Sequence, residues 1–585
     1  MSRMPSLQDR LQKLLKKGLR HQREGRVQAA EDCYRKALKV DPMCMEARHL
    51  LDSLTGKAPA PQQSIKSLSA TLTEDAETLT GRAHAYLAEG KFQPAVDCLR
   101  RVVALHPASA EAHLLLGGAE ERLGDLQAAA DSYRRAVELK PDSPDLYCHV
   151  ARVLYQRGAL EPAAEYYQRA VALDPKRYDV YSDLGLVLAN LGSFGAAIEA
   201  FRRSLQLNPR CAKTIAGLGY LFERKGDLIS ARDAYRDAVK LDAQLFPAYV
   251  DLGFVLYGLG EVDEAFDCFE RLRTLQPDSA EATANLGLIH LLRGELRSGW
   301  EKYESRLKVG VGEDRKLTQP QWKGEPLAGA RILLFAEQGF GDTLQFVRFV
   351  PEVAARGGEV VLEVQPGLHR LLTGTEGASK VIRRGDALPE FTWQCSLLSL
   401  PLAFGTELNT IPATVPYVNP DASLVEAWRL RLEGNTRRIG LVWSGNPSME
   451  RNRLRSIPLD MLLPVMKTPG TTFYSLQVGP GSEQAKQLPS DTRLIDLAPE
   501  LRDFVDTAAV VANLDLVISV DTSVAHLAGA MGKPVWILLN KGCDWRWFLG
   551  REDSPWYPTA RLFRQATPGE WQEVVNCVEK ELRRG

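Results

Sequence analysis

Along the first half of the chain, apolar positions recur at intervals of three and four residues, the period of an amphipathic helix. Lines such as GDLQAAADSYRRAVELKP and GALEPAAEYYQRAVALDP place small and aromatic residues on one face and charges on the other. Beyond residue 330 the pattern changes. Short apolar runs appear (RILLFAEQ, EVVLEVQ, RRIGLVWSG, TTFYSLQVG, LDLVISVD and KPVWILLN), separated by helical stretches. Such runs read as buried strands, and their alternation with helices predicts parallel sheets. The predicted chain is multidomain: an all-α solenoid, then a doubled α/β region of two Rossmann-like lobes facing a cleft.

The helical half keeps a clock. Glycines stand at 90, 124, 158, 192, 226, 260 and 294, each 34 residues after the last. Prolines follow it at 107, 141, 175, 209 and 277, with Ala243 in the missing slot. The glycine separates two helices and the proline ends the second. A small residue five places after the glycine, such as Ala129 or Ala163, lets the paired helices approach. An aromatic four residues on, such as Tyr133, Tyr167 or Phe201, shares its face and reads as core. Small residues such as Gly117 and Gly253 recur in the first helix of each unit. This spacing resembles the tetratricopeptide repeat, a helix–turn–helix unit of 34 residues. The resemblance implies a concave face for a protein or peptide partner.

An earlier copy spans Gly25 to Pro42, and residues 52–75, rich in Ser, Thr, Pro and Gln, interrupt the clock as a flexible linker. The last unit is atypical. Gly299 replaces the small alanine and no proline closes it, which suits a terminal unit docking onto something else. The expected boundaries are 1–51 for N-terminal repeat-like helices, 52–75 for the linker and 76–313 for the array. The two α/β lobes follow at 320–435 and 436–585.

Composition narrows the function classes. A net charge of −1 gives no field for nucleic acid or an anionic membrane. No run is long enough to cross a bilayer. The N-terminal MSRMPSLQDRLQKLLKKGL reads as an amphipathic helix rather than a secretory signal. The nine cysteines are scattered without a CxxC pair or metal spacing, which points to reduced thiols in a cytoplasmic setting. No GxxxxGK[ST] motif occurs, and GFGD lacks the full GxGxxG fingerprint.

Chemistry concentrates at three strand ends, where ligands of parallel sheets bind. The first is Gln338-Gly339-Phe340-Gly341-Asp342. Asp342 starts a helix, and local sequence favours an N-cap over a catalytic acid. The second is Ser444-Gly445-Asn446, leading to Arg451, Arg453 and Arg455. Guanidinium pairs bidentately with phosphate, but a solvated basic loop reads equally well. The third is Asp521-Thr522-Ser523 running into His526. Free N–H groups at that helix start suit a diphosphate, and Asp521 or Thr522 as a cap with His526 in the core is the competing reading.

Together, GFGDTLQFVRFVP, GLVWSGNP with RSIP, and ISVDTSVAHLAGAMGKPVW resemble glycosyltransferase family 9, the ADP-heptose:lipopolysaccharide heptosyltransferase family, in a tetratricopeptide-fused form. The tail DWRWFLGREDSPWYPTARLFRQ supports the match. The resemblance spans about 320–585 and implies a GT-B fold with inverting transfer from a nucleotide sugar, no metal and no other cofactor. It makes Asp342 the base near the acceptor, beside the turn Gln338, Gly339 and Gly341. Ser444, Gly445, Asn446, Arg453, Arg455, Asp521, Thr522, Ser523 and His526 become the donor set. One position departs: the family carries proline about six residues after its aspartate, where this chain has Arg348.

The leading expectation is a glycosyltransferase acting on a protein or saccharide acceptor recruited by the repeats. The competing one is a scaffold whose transferase-like region binds a nucleotide or sugar without turnover. A nucleotide-sugar epimerase, which can share the two-lobed fold, is the third class.

Overall fold

The computed structural model describes residues 7–23, 25–40, 44–54, 75–310, 317–432, 436–446, 452–489, 492 and 494–584. Most of the expected linker, together with Pro42 and Arg451, lies outside these residues. The chain forms two compact units, Met1–Val180 and Tyr181–Gly585, with the division inside the repeat array.

The first unit is built from helix pairs. Helices Leu7–Arg23, Val27–Val40 and Met45–Leu54 bury Leu15, Leu19, Tyr34 and Leu50 against one another. The 34-residue pattern follows, from Ala76–Ala88 to Leu160–Leu173. Asp75, Ser109 and Asp125 start their helices by accepting from the backbone N–H three residues on. The clock glycines all have positive φ, from 72° at Gly90 to 92° at Gly226, a region costly for residues with a Cβ. The small alanines and the aromatics after them are buried, as the pattern predicts.

The second unit opens with further repeat pairs. Three of their first helices matter for the site: α1 (Ala212–Lys225), α2 (Phe246–Leu259) and α3 (Ala280–Arg293). The small residues in these helices have a specific partner. A Cβ on Gly253 would lie 2.5 Å from the Phe269 ring and one on Gly219 2.9 Å from the Tyr235 ring, so these aromatics seat on bare backbone, while Gly287 lets the Tyr303 backbone itself approach.

The α/β region forms two sheets, all of whose strands pair parallel. The first, in the order β3-β2-β1-β4, uses β1 (Arg331–Phe335), β2 (Glu359–Val364), β3 (Ala378–Arg383) and β4 (Trp393–Ser396). The second, in the order β10-β9-β8-β5-β6-β7, uses β5 (Arg437–Val442), β6 (Thr471–Ser475), β7 (Leu494–Asp496), β8 (Leu516–Val520), β9 (Val535–Leu539) and β10 (Ala560–Arg564). Helix α4 (Phe340–Phe346) follows β1, and α5 (Ser523–Ala530) follows β8.

One apolar core runs from the repeats at Leu228–Tyr303 into both sheets. The atypical last repeat is where they join. Trp300 packs edge-on against Phe346, Trp545 and Trp556. Arg306, in the single 3-10 turn that follows, forks onto Glu337 at the end of β1, with contacts of 2.6 and 3.0 Å. Arg306 also donates to Ser399 at 2.9 Å, and the pair is almost fully buried. No described helix is long and apolar enough to cross a membrane.

Candidate active site

The site is assembled where β1, β5, β8 and β9 end. The turn after β1 places Asp342 in the first turn of α4, where its Oδ2 accepts the Gly339 N–H at 2.8 Å. Gly339 rather than Asp342 is thus the N-cap residue of α4, and Asp342, the third helical residue, reaches back to hold the Gly339 N–H. Its Oδ1 meets a second group, the Arg546 guanidinium, which arrives from the loop after β9. Arg546 also binds Asp544 at 2.7 Å, so one buried cation joins two acids. Burial pushes the Asp342 carboxyl above the ordinary carboxylate range, while the Arg546 charge holds it down. Gln338 leans away, donating from its side chain to Tyr303 at 3.2 Å.

The turn after β5 is held by Gln477, whose Oε1 accepts from the N–H of Trp443 at 3.2 Å and of Ser444 at 2.9 Å. Ser444 Oγ lies 3.2 Å from Ser456 Oγ. A Cβ on Gly445 would stand 2.3 Å from Asn452 Oδ1 and 2.8 Å from Arg455 Nε, so the side chains of the short helix Asn452–Arg455 close directly over the bare turn. Arg455 and Asn452 line a cavity of about 590 Å³ with Asp521, Asn540 and Asp544. Arg453 points elsewhere, donating to the Arg224 carbonyl at the end of α1. Asn446 is the last described residue of its turn.

Asp521 follows β8 directly and is buried, and burial together with Asp544 pushes its carboxyl up to about 6. Thr522 is the N-cap residue of α5, with Oγ1 3.0 Å from Ser519 Oγ, and Ser523 is the first helical residue. His526 is buried with Nε2 3.8 Å from Asp521 Oδ1. Its Nδ1 pairs with the Tyr557 hydroxyl at 2.9 Å, and its ring stacks on Trp547. Burial and the charges of Arg546, Arg348 and Arg455 hold its pKa well below the ordinary histidine value, so the ring is neutral at neutral pH. Gly341 is in direct contact with it: a Cβ there would sit 2.8 Å from the His526 ring. The turn after β1 and the helix after β8 therefore meet face to face.

Arg348, where the resemblance leads one to expect proline, ties these parts together. Its guanidinium donates to the carbonyl of Trp556 at 2.6 Å and of Pro412 at 3.2 Å, and to the Tyr417 hydroxyl at 2.7 Å. It also lies over the Tyr417 and Tyr557 rings.

Asp544, Arg546 and Gln477 did not stand out as site residues in the sequence. The one signal for the first two was the density of Trp and Arg in DWRWF, a loop neither helical nor strand-like in pattern. That loop carries Phe548 at φ 53°, a rare conformation for a residue with a Cβ, and such strain collects at functional sites. Among the described residues, no group of three or more His, Cys, Asp and Glu side chains is placed to hold a metal ion.

Comparison with known proteins agrees with this layout. Tetratricopeptide-repeat families match residues 15–51, 80–144, 182–246 and 250–298, and also 151–192. Glycosyltransferase family 9 (heptosyltransferase) matches residues 475–539, which include β8 and α5. The protein FlbA of Caulobacter vibrioides is 29% identical over 323 residues, 50% of this chain and 53% of its own length. The chain thus spans about half the length of that curated relative. Similar solved structures include a tetratricopeptide repeat protein from Parabacteroides merdae, 18% identical with a TM-score of 0.36 over 41% of this chain and 94% of that one. Another is PilF of Pseudomonas aeruginosa, 17% identical with a TM-score of 0.29 over 34% of this chain and 91% of that one. The chain is a tetratricopeptide-repeat protein whose C-terminal parallel α/β region is glycosyltransferase-like, with its match to family 9 in the six-stranded sheet.

Proposed function

We propose that the α/β region is an inverting, metal-independent glycosyltransferase of GT-B type that moves a sugar from a nucleotide sugar to a protein or saccharide acceptor recruited by the repeats. The observation that carries this reading is the meeting of the Asp342 turn with α5 beside a cavity lined by Arg455 and Asp521. In the proposed step the acceptor oxygen attacks the anomeric carbon and its proton passes to Asp342. The bond to the diphosphate breaks, and the charge left on that group is met by Arg455 and the N-terminus of α5. Asp342 must part from Arg546 or share it to act as the base.

Arg455→Ala is expected to weaken binding of the nucleotide sugar by roughly 1–3 kcal/mol, the loss of a charge-assisted contact. Calorimetry against ADP-, GDP-, UDP- and CMP-sugars reads this, and unchanged affinity removes Arg455 from the donor site. Turnover is expected to persist in EDTA, and a loss restored by added Mg²⁺ or Mn²⁺ overturns metal independence.

A second reading has one specific observation behind it. Both Asp342 oxygens are engaged, one by a backbone N–H and one by Arg546, as in a purely structural acid. A scaffold that binds nucleotide sugar without turnover would show ligand-dependent thermal stabilisation but neither transfer nor hydrolysis.

A further inference from the structure

The cavity beside Arg455 has two walls of different origin. One comes from the six-stranded sheet and its loops. The other comes from the repeats: Tyr220 and Glu223 of α1, and Asp251, Phe254 and Tyr257 of α2. Tyr220 and Phe254 are 34 residues apart, so they hold the same position in successive repeats and present two rings in line.

The two walls are locked together. Tyr257 donates its hydroxyl to the Cys543 carbonyl at 2.6 Å. A Cβ on Gly542 would come within 2.3 Å of the Tyr257 carbonyl oxygen and 2.5 Å of the Gly258 Cα. The loop after β9 therefore lies backbone to backbone against α2, and the cavity is bounded by a fixed contact.

Charge sorts what the walls accept. The cation among the lining residues is Arg455, on the sheet side, where Asp521 and Asp544 accompany it, whereas the repeat wall carries Glu223, Asp251 and aromatic rings. Among the lining residues, a diphosphate therefore meets a cation on the first wall alone. Carboxylates accept hydrogen bonds from hydroxyl groups, and aromatic rings pack against the apolar C–H face of a sugar.

We propose that the repeat wall is a glycosyl subsite: Glu223 and Asp251 take the hydroxyls of a sugar ring that packs on Tyr220 and Phe254. This rests on the donor reading of the Arg455 wall and deepens it, because it makes the repeats part of the site. The ring belongs either to the donor or to a saccharide acceptor.

The test uses the full chain and its Asp251→Asn and Phe254→Ala variants. The first is isosteric, so a change in its binding at unchanged melting temperature is not a folding effect. UDP-N-acetylglucosamine, ADP-glucose and GDP-mannose are titrated by calorimetry beside UDP, ADP and GDP, and methyl glucoside and methyl galactoside are followed by saturation-transfer NMR. If the ring is the donor's, both variants lose about tenfold in affinity for the nucleotide sugar bound by wild type and keep their affinity for its nucleotide. If the ring is the acceptor's, nucleotide-sugar affinity holds and the methyl glycoside signal of wild type disappears in the variants. Equal loss for nucleotide and nucleotide sugar places the nucleotide on the repeat wall and overturns the proposal. Wild-type behaviour of both variants with every probe overturns it as well. Arg455→Ala, run in parallel, separates the two ideas: if it binds every nucleotide and nucleotide sugar as wild type does, the donor reading itself fails.

Discussion

Asp342→Asn is expected to lower sugar transfer by roughly 10²–10⁴-fold, the range for losing a general base. The amide keeps the size of the carboxylate but has one acceptor oxygen where Asp342 uses two. It can serve either the Gly339 N–H or Arg546, and its NH₂ then faces the remaining donor. A modest fall in melting temperature therefore accompanies the lost turnover, while donor affinity barely changes. Turnover and donor affinity should be measured on one preparation. Wild-type turnover reduces Asp342 to a helix cap, and lost donor binding places it on the nucleotide side. The pH profile adds an independent check. Burial raises the Asp342 carboxyl and Arg546 opposes that rise most, so Arg546→Gln leaves burial opposed chiefly by the weaker Gly339 N–H contact. A base must be deprotonated, so the acid limb of kcat should move to higher pH in this variant. An unmoved limb uncouples Arg546 from the group that titrates.

Glu337→Ala carries the largest expected loss of stability. Arg306 and Glu337 are 1% and 2% exposed in their side chains, and removing the acid strands a buried guanidinium. Breaking such a pair costs about 3–5 kcal/mol. Glu304 remains 3.0 Å from Arg306 and offsets part of that, so the lower end is expected. Urea denaturation followed by tryptophan fluorescence reads the change, because Trp300, Trp545 and Trp556 cluster close by. Replacing both partners, as Arg306→Met with Glu337→Leu, should recover part of the loss, since the buried guanidinium is gone and Glu304, which loses Arg306, still accepts from Gln321 and Ser399. An unchanged midpoint for Glu337→Ala means the pair contributes nothing to joining the last repeat to β1.

Much of the fold is written locally. The 34-residue clock gives the helix pairs, because a left-handed glycine, a small residue and an aromatic each act within a turn or two of chain. Short apolar runs give the strands for the same reason. The atypical ending at Gly299 announced a docking unit, and Trp300 and Arg306 make that contact. The strand-end turns were legible too, because a parallel sheet sends its ligands to those ends.

The partners of those turns were not legible. Asp342 meets Arg546 across 204 residues of chain, and Tyr257 meets Cys543 across 286. A periodic pattern carries no information on which loop packs against which, since such pairings follow from how separate layers share one core. Sequence likewise placed Arg453 and Arg455 together in the donor set, two residues apart in the same basic run. Their divergence, one to the end of α1 and the other to the cavity, is decided by α1 packing beside the turn after β5. The sequence by itself determined repeats, strands and the turns at the strand ends, because each is set by neighbours in the chain. The tertiary structure alone decided that Arg546 holds Asp342, that Arg348 bridges three segments, and that repeat helices wall the cavity, because each depends on groups that only packing brings within reach.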